Sequence, residues 1–186
     1  MMGHLKSNII MVIIIVTILS CNKIDDKYYY EYNGMFGKEF YSVELKEDSL
    51  NYFLQEYTYD LDSSFNKKNT SYKRLIKGKI ISDTIIYNSY LLKTNSKINN
   101  CWSFEELKRN NEYNLCIGNI VYDTIFNNLQ IEELIIYELT PFDMYTSDAS
   151  KEKIFFDKKR KIFLYIEGYL DEKVYYTKTF IKKGNI

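Results

Sequence analysis

The stretch Lys173-Val174-Tyr175-Tyr176-Thr177-Lys178-Thr179-Phe180-Ile181 decides the fold class. Successive side chains of an extended chain point to opposite faces. Val174, Tyr176 and Phe180 therefore share one face, and Thr177 and Thr179 lie on the other. Aromatic and β-branched residues alternating in this way form a half-buried strand.

Similar runs recur toward the N-terminus. Strands are expected near Phe40–Leu45, Leu50–Tyr59, Arg74–Ile81, Thr84–Leu92, Glu112–Tyr122, Leu129–Leu139, Lys153–Phe156 and Ile162–Glu167. In Leu129–Leu139 the apolar residues occupy both parities, so both faces of that strand are expected to be partly covered. Turn residues separate the runs: Glu47-Asp48-Ser49, Ser82-Asp83, Asn127-Asn128, Asp157–Lys159 and Gly168–Glu172. Short strands joined by tight turns pair as antiparallel hairpins, because parallel pairing needs longer crossovers. The expected fold is mainly β, an antiparallel meander forming a curved sheet or small barrel.

One short helix is expected near residues 103–110. Ser103-Phe104-Glu105-Glu106 has the form of a capping box, Leu107 continues it and Asn110-Asn111 stops it. An internal repeat is also visible. Gly78 to Asn88 aligns with Gly118 to Asn128 at an offset of 40, with six of eleven positions identical. It is read as two similar hairpins, each turning at Asp-Thr.

Of the 25 basic residues only Arg74, Arg109 and Arg160 are arginine, and acids also number 25. Charge this balanced offers no basic face for nucleic acid. A single proline and seven glycines argue against a disordered low-complexity chain. The 186 residues make one domain by the usual measure.

At the N-terminus, Met1 to Asn8 holds one lysine, Lys6, and residues 9–19 are apolar except for Thr17. Eleven residues are too few to span a bilayer, which takes about 20, and suit a signal peptide. The run ends at Ile18-Leu19-Ser20-Cys21, which resembles the lipobox of bacterial lipoproteins. The resemblance implies cleavage before Cys21 and acylation (palmitate among the chains) at the Cys21 thiol and the freed amine. Two or three acyl chains hold a protein to a membrane where a single one does not. An ordinary cleaved signal and an uncleaved anchor are the alternatives. Lys23-Ile24-Asp25-Asp26 resembles the export signal of surface lipoproteins in Bacteroidetes-type bacteria, or is a solvated charged tether.

The expected organisation is a signal peptide over 1–20, a tether over 21–36 and one β-rich domain over 37–186. The run Tyr28-Tyr29-Tyr30-Glu31-Tyr32 is unusual for a tether. It either folds back as a first strand or lies at the lipid interface. The pattern of Leu45-Lys46-Glu47-Asp48-Ser49 and of Gly78 with Asp83-Thr84-Ile85 is similar to small lipocalin-like lipoproteins of Bacteroidetes-type bacteria. That likeness implies a cavity or an edge used for binding.

The chemistry open to the chain is narrow. Its one histidine, His4, lies in the signal segment, which leaves no His-based nucleophile system or His-ligated metal site beyond it. No Walker or dinucleotide loop occurs. No catalytic residue, metal ligand or cofactor is assigned. Cys101 and Cys116 remain after Cys21. In an oxidising envelope they form a disulfide closing a 15-residue loop, or they stay as buried thiols. Trp102 either stacks on a sugar or belongs to the core.

The expectation is an outer-membrane-anchored envelope lipoprotein, non-enzymatic, that binds a small molecule or a protein partner or serves as a structural module. The alternatives are a glycan hydrolase using paired carboxylates and a self-protection inhibitor of an exported factor.

Overall fold

In the computed structural model, which describes residues 26–47, 52–68, 71–87, 90–106, 111–141 and 151–184, one antiparallel sheet accounts for the regular structure. Among the described residues its strands are β1 (Lys27–Gly34), β2 (Gly37–Glu47), β3 (Tyr52–Leu61), β4 (Lys73–Ile81), β5 (Thr84–Tyr87), β6 (Tyr90–Lys93), β7 (Cys101–Glu106), β8 (Asn111–Phe126), β9 (Leu129–Pro141), β10 (Lys151–Asp157), β11 (Ile162–Leu170) and β12 (Lys173–Gly184). The spatial order is β6-β5-β4-β3-β2-β1-β12-β11-β10-β9-β8-β7. Two meanders, β1 to β6 and β7 to β12, are thus joined side by side through the β1–β12 ladder, where Lys27 faces Gly184 and Tyr32 faces Lys178.

The sheet curls into a nearly closed barrel. Its two edges, β6 and β7, meet through the Trp102 indole N–H, which donates to the Leu91 carbonyl oxygen at 2.7 Å. Both edge strands are short, one way a sheet limits unwanted pairing. On the β7–β11 side the interior is filled by Leu115, Ile117, Ile131, Ile135, Tyr137, Ile154 and Leu164, all fully buried. Leu134, of opposite parity to Ile135, is buried too. Both faces of β9 are therefore covered in part, as its mixed pattern indicates.

Several expectations change. Residues 103–106 lie in β7, and residues 107–110 fall outside the described residues. Period-two alternation decides this segment: Trp102 and Phe104 pack against the core, while Cys101, Ser103 and Glu105 are exposed. A serine followed three residues later by a glutamate caps a helix only where a helical apolar face follows. The tyrosine run is the first strand. Tyr28 and Tyr30 are buried in the core, between β2 and β12. The sheet thus begins at Lys27, and the proposed boundary at 36/37 falls at the first hairpin turn.

Thr84–Leu92 is two strands, β5 and β6. The repeat is only partly structural. Its first copy turns at Ser82-Asp83, whereas the second runs straight through Asp123-Thr124 and turns at Asn127-Asn128. The two glycines also differ. A Cβ on Gly78 would stand 2.1 Å from the Phe53 ring, while one on Gly118 would first meet the movable Glu138 carboxylate at 2.7 Å. Gly118 is the extra residue of a bulge in β8.

Val174 does not share a face with Tyr176. Tyr175 is an extra residue in β12 opposite the Gly168–Tyr169 step of β11. A bulge shifts the parity of everything before it, and Val174 is exposed.

Candidate functional site

Alternation alone places Tyr30 of β1, Tyr41 of β2 and Tyr57 and Tyr59 of β3 on the inner face, on three neighbouring strands. Tyr30 and Tyr41 are direct cross-strand partners, and their rings stack at 5.0 Å. Tyr41 stacks in turn on Tyr59 at 5.4 Å and on Tyr57 at 6.1 Å. The opposite wall is also aromatic: Phe163 of β11 lies 5.1 Å from the Tyr87 ring and 5.6 Å from the Tyr90 ring. Between the walls is a cavity of about 460 Å³, within the size range of small-molecule sites.

The cavity has a closed end and an open one. At the floor, the Tyr57 hydroxyl donates to Gln55 Oε1 at 2.6 Å, and the Tyr87 hydroxyl donates to the same oxygen. Gln55 Nε2 donates to the Lys161 carbonyl at 3.3 Å, in the turn between β10 and β11. At the other end the lining residues Phe36, Gly37, Glu39 and Arg74 are all exposed and form the mouth. Phe36, at the β1–β2 turn, is 97% exposed. Because every strand reverses, Asp26 and Gly184 both lie at the floor end, away from the mouth.

Lys178 of β12 also lines this cavity. It lies between Tyr176 and Phe180 on the inward face and is half-buried. Desolvation lowers its pKa; the Glu152 carboxylate opposes that shift and the Arg74 guanidinium adds to it. Its ammonium stands 5.8 Å from the centre of the Tyr176 ring. No ion pair within 4.0 Å reaches it among the described residues. Both Glu152 oxygens accept a hydrogen bond elsewhere: Tyr90 donates to one at 2.7 Å and Tyr176 to the other. The Tyr30 and Tyr41 hydroxyls, in buried residues, have no hydrogen-bond partner among the described residues. Burial holds both phenols well above their ordinary pKa, so both remain protonated donors.

Sequence reasoning did not single out Lys178. Its signal is parity, since a lysine at an apolar position of an alternating strand is either snorkelling or functional. Cys101 and Cys116 are direct partners in the β7–β8 ladder, with Cα atoms 4.0 Å apart and sulfurs joined. They lie away from the cavity. Trp102 is engaged by Leu91 and packs edge-on against Tyr137 at 6.2 Å, a core role. Cys21 lies outside the described residues.

No protein-family model matches the chain, and no characterised protein matches it. Among solved structures the chain is similar to one from the MucA/MucB complex of Pseudomonas aeruginosa, with a TM-score of 0.45 and 10% identity over 86% of this chain and 51% of that one. It thus spans about half the length of that protein. It is also similar to a protein described as a lipoprotein from Parabacteroides distasonis, with a TM-score of 0.45 and 10% identity over 86% of this chain and 95% of that one. A third is a beta-barrel-like protein of the domain of unknown function DUF1849 from Brucella abortus, with a TM-score of 0.48 and 7% identity over 88% of this chain and 98% of that one.

Proposed function

We propose that the chain is a lipid-anchored cell-envelope protein whose barrel binds a small organic molecule in the tyrosine-walled cavity. The observation that carries this reading is the cavity itself, closed at the Gln55 floor and open at the Phe36 mouth. A hydrolase would need two carboxylates facing one space. Among the described residues this lining holds one, Glu39. That favours binding over the glycan-hydrolase alternative.

The anchor reading rests on the lipobox-like Ile18-Leu19-Ser20-Cys21. From Cys21 to Asp26 the chain reaches about 17 Å at most, at about 3.3 Å per residue. An acylated Cys21 would therefore hold the floor end near the membrane and turn the mouth away from it, toward soluble ligands or a partner protein.

Two measurements test the proposal. Cys21→Ala should move the protein out of the membrane fraction or leave an uncleaved precursor; an unmodified Cys21 at the mature N-terminus sinks the anchor. Mass spectrometry of extracts from the full chain should find a small molecule that is missing from Val43→Trp, which fills the cavity. The same extract from both variants sinks the binding reading.

A further inference from the structure

The cavity is rich in donors and poor in acceptors. Lys178 contributes an ammonium with no counter-ion within 4.0 Å among the described residues, and Tyr30 and Tyr41 contribute hydroxyls with no described partner. The Arg74 guanidinium stands at the mouth and is likewise without an ion pair among the described residues. Against these the lining has Glu39 at the exposed mouth. The Gln55 oxygen accepts from Tyr57 and Tyr87, and Glu152, which accepts from Tyr90 and Tyr176, is not among the lining residues. Removing a cation from water without pairing it is costly, and the cost is recovered when a ligand brings the missing charge. The walls specify the rest of the ligand. The mutually stacked tyrosines and Phe163 make the wall largely aromatic, which suits an apolar body.

Resting on the cavity reading above, we propose that the ligand is an organic anion: a carboxylate, sulfonate or phosphate group on an apolar body, with its anionic oxygens against Lys178 and the Tyr30 and Tyr41 hydroxyls. Arg74 guides the anion in at the mouth. The floor triad takes no part, because its groups satisfy one another.

A matched pair of probes separates charge from shape. 2-Naphthoate and 2-naphthamide share a ring system, and only the first is charged. Calorimetric titration of the full mature chain should show the naphthoate binding about tenfold more tightly or better, a difference of one decade in Kd. Lys178→Met and Lys178→Gln should each bring the two probes to within about twofold of one another, chiefly by weakening naphthoate. An unaltered β circular dichroism signal shows that the variants fold. Inorganic phosphate, an anion without a body, should bind far more weakly than naphthoate. Equal binding of amide and naphthoate overturns the anion and leaves the cavity reading standing. Binding of neither overturns both. A naphthoate preference that survives both Lys178 variants, or phosphate binding as tight as naphthoate, overturns the proposal.

Discussion

Lys178 costs the empty barrel stability. Replacing it with Met keeps the length of the side chain and removes the desolvated ammonium, so Lys178→Met should stabilise the ligand-free protein by roughly 1–3 kcal/mol. The gain should shrink as pH rises. Desolvation lowers the lysine's folded pKa below its unfolded value, Glu152 partly opposing and Arg74 reinforcing. Between the two values the unfolded chain binds more protons than the folded one, so the wild type gains stability with pH. Chemical denaturation of both proteins at neutral and alkaline pH checks this, and a constant difference would refute it. Tyr176 and Phe180 were readable as inward residues from alternation, and the same parity includes Lys178. What alternation could not supply was the bulge at Tyr175, which turns Val174 outward. Nor could it show whether a lysine at an inward position snorkels out or stays inside, because that depends on the far wall of the barrel.

Most strands were legible because hairpins leave a local record: a period-two run, a turn, another run. Two elements were not. β1 lies within the stretch read as a tether, and its partner β12 is far away in sequence. β7 carries a capping-box sequence, and its strand character depends on pairing with β8. The Cys101–Cys116 bond ties β7 to β8 at the point where the ladder begins, and β7 is otherwise an edge. Cys101→Ser should lower stability by about 3 kcal/mol, the entropy of a loop of this size in the unfolded chain, and should speed hydrogen exchange in β7 ahead of β8 and β9. Uniform exchange across all three strands would show that the bond does not guard this edge.

At the scale of the whole barrel, tyrosine dominates. Burial is the largest cause raising the pKa of Tyr28, Tyr30, Tyr41, Tyr87, Tyr90 and Tyr137. Each is protonated in the folded state over a range where the unfolded chain, with an ordinary value of about 10, has lost its proton. The stability these phenols contribute is complete below about pH 10 and falls as pH climbs beyond it. The barrel should therefore unfold cooperatively in base. The buried set should ionise only together with loss of the β circular dichroism signal. Smooth ionisation of all tyrosines with the sheet intact would refute this.

The ladder between β1 and β12 has a kinetic meaning as well. Its partners stand far apart in sequence, Lys27 against Gly184, and contacts of such long range form slowly because the whole intervening loop must close. A chain made from its N-terminus produces β1 before the other described strands and β12, which covers its second edge, after them. Until β12 emerges, the first meander presents a tyrosine-rich strand with one side unpaired, the kind of edge that recruits other chains. Synthesis thus leaves β1 waiting for its second neighbour longer than any other described strand waits.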